Sequence, residues 1–224
     1  MKNEHKKLAL SLLVFLAAGI GPNLFVVAQA GYANLSDLAV SFLFPSIVVV
    51  IAITVLGYFI GMKELSNQII IGLVAGLIGT IGLEVFRIAG FNLGWMPGDL
   101  PKLMGVLLLD QFALGPDTTS NIAGWSYHFW NGAAFGIIYS ILFGKGKVWL
   151  GSVYGFIMGV FFMISPVVIA LGVGYFGVDF GIGFPVTVTL AHLAYGTLLG
   201  MFVYRWNKKD LSIFTLLKSL VNKK

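Results

Sequence analysis

The sequence predicts an all-α polytopic membrane bundle of six transmembrane helices, and three observations carry that prediction. The 224 residues are 58% hydrophobic and only 10% charged, against about 25% charged in ordinary soluble domains. Six apolar stretches each reach the roughly 20 residues that a helix needs to cross a bilayer. None alternates with the period of two that marks a barrel strand, so helices are the spanning structure that satisfies the backbone inside lipid. The absence of cysteine removes disulfides, thiolate metal sites, iron–sulfur clusters and thiol catalysis together.

The stretches run over 8–30, 38–61, 68–90, 122–144, 148–175 and 185–206, making a single transmembrane domain over 1–206 with a tail at 207–224. The first begins with a basic segment and ends at Ala28-Gln29-Ala30, a pattern shared with cleavable signal peptides, although its apolar run is longer than a signal requires. Pro22, Pro45 and Pro166 fall inside spans and are expected to kink them. After the third span, Met96-Pro97-Gly98 reads as a turn and Asp99 as a helix cap. Leu100, Leu103, Leu107 and Leu108 then form one face of a short helix on the outer surface, ending near Asp110. In the tail, Ile213, Phe214, Leu217, Leu220 and Val221 oppose Ser212, Thr215, Ser219 and Asn222, the pattern of an amphipathic helix lying on a membrane surface.

Orientation follows from the basic residues. Twelve of the fourteen Lys and Arg fall on one side when the N-terminus is cytoplasmic, all but Arg87 and Lys102, while Asp37, Asp99, Asp110, Asp117 and Asp179 collect on the other. Both termini are therefore expected in the cytoplasm. The net charge of +5 is accounted for by topology and by attraction to anionic lipids at the cytoplasmic face, with no nucleic-acid footprint.

An internal echo is the most informative motif. His128-x-x-x-Gly132-x-x-x-Gly136 in span four matches His192-x-x-x-Gly196-x-x-x-Gly200 in span six. Spans three and five carry their own ladders, Gly72, Gly76 and Gly79, and Gly151, Gly155 and Gly159. The pattern suggests a tandem helical-hairpin repeat of spans 3–4 and 5–6. Small residues four apart have a sufficient packing explanation, since they let helix backbones approach closely.

The ionisable residues point further. At 1.5 Å rise per residue, His128, His192 and Glu84 each lie about 9–10 Å inside the outer ends of their spans, with Arg87 one turn nearer the surface. Asn131 shares a face with His128, and Trp125, Tyr127 and Trp130 are candidate walls or interfacial anchors. An intramembrane charge costs at least about 2.5–3.5 kcal/mol, so Glu84 and Arg87 should pair and turn inward. Several readings stay open. The layer is a structural pair with two hydrogen-bonded histidines, or an outward-facing pocket built from Glu84, Arg87, His128, Asn131 and His192, lidded by the Asp99–Asp110 segment, for a small solute, ion or lipid headgroup. Alternatively His128 and His192 ligate one haem b, or with Glu84 a divalent metal, serving electron transfer or membrane-embedded catalysis. A structural subunit of a larger complex is a further alternative, and Gly-rich faces would suit an oligomer or partner subunit. No Walker loop, dinucleotide fingerprint or Arg-rich voltage sensor is present, and no nucleophile motif surrounds Ser126; an enzymatic role is not the leading expectation.

The Gly-x-x-x-Gly-x-x-Gly run leading to Glu84, then Gly94-Trp-Met-Pro-Gly-Asp-Leu-Pro101, Trp125-x-x-His128 and Ala191-His192-Leu-x-Tyr195-Gly196, resemble a loosely defined, largely uncharacterised group of bacterial polytopic membrane proteins that includes YagU-like inner-membrane proteins. The resemblance covers roughly residues 68–205. It implies a multi-pass protein of the bacterial cytoplasmic membrane and carries over no site residue.

Overall fold

The computed structural model describes residues 2–222, so Lys223 and Lys224 of the basic tail lie outside the described residues. The described chain is helical throughout, without strands. Helices α1 (Lys2–Gln29), α2 (Leu35–Leu38) and α3 (Phe44–Phe59) are followed by α4 (Lys63–Asn92), α5 (Leu100–Leu108), α6 (Thr118–Phe143), α7 (Val148–Met163), α8 (Pro166–Ala170), α9 (Gly183–Trp206) and α10 (Ile213–Val221). Four helical segments are long and apolar enough to cross a membrane: Glu4–Gln29, Leu35–Phe59, Lys63–Asn92 and Gly183–Trp206. Helix α6 has the length, 26 residues, but a more polar sequence, and α7 is apolar with only 16 residues.

Proline explains where the helices depart from the expected stretches. Between α2 and α3 the chain widens into a π turn over Ala39–Leu43. Pro45 has no N–H to continue the ladder, and Phe44 bonds five residues back, to the Ala39 carbonyl. Pro166 breaks the fifth stretch rather than kinking it. Ser165 before it is extended, with ψ 159°, and Pro166 becomes the first residue of α8, because the proline ring excludes helical geometry from its predecessor. Helix α6 starts earlier than the apolar run suggests, since Asp117 and Ser120 form a reciprocal cap: Ser120 N–H donates to Asp117 Oδ1 at 2.6 Å and Asp117 N–H to Ser120 Oγ at 2.9 Å. These bonds hold the exposed Asp117 carboxyl below its usual range.

Helix α4 is the central element, packed against α3, α6 and α9, while α7 packs on α9 and α1 on α3 and α6. The glycine ladders make the tightest seams. Gly72 and Gly76 lie against the backbone of Gly136 and Gly132, and Gly151 and Gly155 against Gly200 and Gly196. A Cβ would collide with the Thr80 side chain at Gly132 and with backbone of the neighbouring helix at the others, so the crossings exist only because the side chains are absent. On its other flank α4 meets α9 through Gly79 against Tyr195 and Gly90 against Thr187.

Polar side chains tie the Lys63 end of α4 to its neighbours. Gln68 Nε2 donates to the Ser140 carbonyl at 2.6 Å while Ser140 Oγ donates to the Gln68 carbonyl at 3.0 Å, and Asn207 Nδ2 donates to Gly144 O at 3.2 Å. Lys7 and Lys209 both reach Glu64, whose hydrogen bond raises the Lys209 amine above its usual range. Helix α10 docks on α1 and α6 by burying Ile213 and Leu216, leaving Phe214, Leu217 and Val221 exposed. Helix α5 is set deeper than a surface helix: Pro101, Met104, Gly105 and Val106 are buried, and Gly105 lies directly against the Ser120 carbonyl and Gly124 of α6.

Candidate functional site

The cost of a bare charge inside the bundle is met as expected for Glu84 and Arg87. Arg87 Nε donates to Glu84 Oε1 and Oε2 at 2.8 and 2.9 Å, and Nη2 to Oε2 at 2.7 Å. Both side chains are only 7% exposed. His128 joins from α6, its Nε2 lying 2.8 Å from Glu84 Oε1. The three residues thus form one hydrogen-bonded unit across the α4–α6 seam, and the close approach permitted by Gly76 and Gly132 one to three turns below makes that reach feasible.

A second carboxylate arrives from outside the spans. Asp99 Oδ1 lies 3.2 Å from Arg87 Nη1, near enough for Coulomb attraction but misaligned for a hydrogen bond, so both atoms lack a hydrogen-bond partner. Lys102 approaches the other carboxylate oxygen at 3.7 Å. Asp99 stands at the start of α5 without capping it, because its side chain is directed to the two cations instead. Of the two residues expected to bound a lid, one lies beside these groups. Asp99 meets the site, whereas Asp110 sits past the end of α5, exposed, with φ 54°, and touches none of these groups. The Trp125 ring lies 5.6 Å from the Arg87 guanidinium and edge-on to His128 at 6.0 Å, so it is a wall of the site. Tyr127 donates to the Gly21 carbonyl at 2.6 Å, fastening α6 to α1, and Trp130 packs on Gly21.

His192 does not join Glu84. Its Nδ1 lies 2.8 Å from the Val188 carbonyl of its own helix; a carbonyl only accepts, so Nδ1 carries the proton and Nε2 is left as an acceptor. Its ring stacks on Phe162 at 5.9 Å. Among the described residues no group of three His, Asp or Glu side chains is disposed to hold a metal ion, so the set His128, His192 and Glu84 is not assembled. The physical reason is competition: Arg87 and His128 occupy the Glu84 carboxylate, and the His192 side chain folds back along its own helix onto the Val188 carbonyl. The bis-His haem arrangement loses support for the same reason, since His128 commits Nε2 to Glu84.

What His128 and His192 do share is a cavity of about 560 Å³. It is bounded by α1, α4, α6, α7, α8 and α9, with α5 above it. Arg87, Asn131 and both histidines line it, but Glu84 does not; that residue stands behind Arg87. Among the described residues Arg87 is the one Lys, Arg, Asp or Glu on the wall. Four buried polar atoms without a hydrogen-bond partner belong to lining residues: Arg87 Nη1, Asn131 Oδ1, Ser165 Oγ and Thr187 Oγ1. Ser165 and Thr187 escape sequence reasoning. Hydroxyls carry no charge whose cost would force a partner, and only the Ser165-Pro166 break turns Ser165 toward the interior.

Below these groups the wall is mainly apolar. Leu83, Phe135 and Met158 line it beside Thr80, whose hydroxyl donates to Gly76 O at 2.9 Å, and Tyr195, donating to Gly132 O at 2.7 Å, closes the floor. No family model, curated protein or solved structure matches the chain, so the geometry alone carries the functional reading.

Proposed function

We propose that this is a six-span protein of the bacterial cytoplasmic membrane, with both termini in the cytoplasm, whose cavity binds or transports a small ligand through its outer polar end. Helices α1, α2–α3, α4, α6, α7 and α9 would be the spans. The clustering of Lys7, Glu64 and Lys209 at the end that also carries Lys145, Lys147 and Lys208 supports the orientation. The matched seams, Gly72 and Gly76 on Gly136 and Gly132, Gly151 and Gly155 on Gly200 and Gly196, favour a duplicated hairpin. Anionic lipids suit the basic cytoplasmic face and α10, and membership of a YagU-like group fits this layout.

The observation that carries the ligand reading is that Asn131, Ser165 and Thr187, with Arg87 whose Nη1 has only the misaligned Asp99, line one cavity and each keep a buried polar atom without a hydrogen-bond partner. A buried polar group left without a partner costs about 1–3 kcal/mol. Four such residues, from α4, α6, α9 and the Ser165 bend, all lining one space, suit a site for a hydrogen-bonding ligand. The test is native mass spectrometry of the protein released directly from membrane vesicles. The wild type should carry a stoichiometric non-protein mass that is lost in Asn131→Leu; a bare wild-type mass would overturn the reading.

A further inference from the structure

The cavity also restricts the chemistry of its ligand, an inference that rests on the ligand-binding reading above. Its polarity is graded with depth. Arg87 and Thr187 lie about 6–8 Å from the outer ends of α4 and α9, and Ser165 sits at the outer end of α7. His128, His192 and Asn131 come next, whereas Phe135, Met158 and the Tyr195 ring lie deepest with Thr80, whose hydroxyl is already bonded to Gly76 O; the outer end also carries the apolar Met96, Leu100 and Met104. A ligand filling this space needs a hydrogen-bonding head uppermost and an apolar body below.

The head has to be uncharged. Arg87, the one permanent charge on the wall, is already held between Glu84 and Asp99, and Lys102 offsets Asp99 in turn. An anionic head would meet a guanidinium whose charge is spent, beside two carboxylates; a cationic head would find those carboxylates behind Arg87. Either would be desolvated without a counter-ion, which is far more costly than burying a hydroxyl or amide that finds partners. Thr187 and Ser165 hydroxyls, the Asn131 carbonyl oxygen and His192 Nε2 offer neutral donors and acceptors to such a head.

The side wall is open. Among the described residues α1 and α7 do not pack together along their lengths; α8 connects the two at the outer end. Asn23 on α1 and Phe161 and Ile164 at the end of α7 line the cavity and are exposed, Phe161 to 65%. The gap faces what would be the hydrocarbon region, and a volume of about 560 Å³ falls within the range for one drug-sized molecule. We infer that the ligand is a single-chain amphiphile with an uncharged hydrogen-bonding head, entering sideways from the outer leaflet between α1 and α7.

The experiment titrates the purified full-length protein in phosphatidylcholine nanodiscs with monoolein, oleate and glycerol, reading thermal stabilisation and bound mass. Monoolein should bind one to one and at least about tenfold more tightly than oleate, and glycerol should have no effect. Ser165→Ala with Thr187→Val should weaken monoolein binding at least about tenfold, while melting of the nanodisc protein without monoolein stays the same or rises, since the variant removes unpartnered buried hydroxyls. Tighter binding of oleate would overturn the neutral head, and binding of glycerol alone would overturn the need for a chain. If none of the three binds while a native mass still co-purifies with the wild type, this inference fails and the ligand-binding reading stands. If no native mass is found either, both fail.

Discussion

Replacing Glu84 and Arg87 singly and together tests the construction of the site. Each side chain is 7% exposed and they share three hydrogen-bond contacts, so removing one partner leaves a buried group stranded, at a cost of about 3–5 kcal/mol. The geometry makes the two losses unequal. Glu84→Gln leaves Arg87 with Asp99 at 3.2 Å and belongs at the low end, about 3 kcal/mol. Arg87→Gln leaves two carboxylates, one with only His128 and the other with Lys102 at 3.7 Å, and belongs at the high end, about 5 kcal/mol. The double variant removes the attraction and the stranded partner together, so it should cost at least about 1 kcal/mol less than the sum of the singles. Unfolding in mixed micelles with increasing dodecyl sulfate, followed by tryptophan fluorescence, gives all three values, with Trp125 beside Arg87 as a local reporter. Equal single costs with additivity within about 0.5 kcal/mol would refute the idea that Arg87 is held between two acids.

Two further outcomes follow from the packing and the cap. Gly105→Ala places a methyl group against the Ser120 carbonyl and should cost about 1–3 kcal/mol, detaching α5; faster hydrogen exchange of the α5 amides would register it, and unchanged exchange would refute the close seam. The Asp117 cap predicts a pH dependence at the start of α6. Its carboxyl is held below its usual range by the Ser120 N–H, so the stabilisation is present above the unfolded pKa and is lost as pH falls through the folded one. Protection of the Ser120 amide should therefore decline on acidification below about pH 4 and stay level in Asp117→Asn, whose neutral amide still caps.

The long apolar helices were legible because lipid leaves the backbone few options, and four of them are long and apolar enough to cross a membrane. Their ends were less so. The Asp117–Ser120 cap lies in a polar stretch that hydropathy passes over, and the Ser165-Pro166 break interrupts an apolar run that shows no composition change. At the site, the cost of burying charge made Glu84 and Arg87 readable as a pair, and spacing along the helices placed the histidines at matching depth. Depth does not fix rotation about the helix axis. That missing angle, with the side-chain rotamer, separates His128, which reaches Glu84, from His192, which folds back on the Val188 carbonyl of its own helix, and together they remove the metal set. Asp99 was readable as a residue near the outer surface, but its place beside Arg87 depends on the fold of the whole 93–100 turn.

In the proposed six-span arrangement the break at Pro166 would also act on the surrounding lipid. Sixteen residues of α7 rise about 24 Å, against a hydrocarbon core of about 30 Å. In the six-span arrangement the leaflet beside α7 must draw in by about 6 Å while the flank formed by α4, at 30 residues, is overlong for the same bilayer. In that arrangement one side of the molecule would thin its surroundings and the other would tilt or thicken them. A bilayer of shorter chains would relieve the strain at α7 and increase it at α4, so acyl-chain length becomes a mechanical input to the gap beside α1.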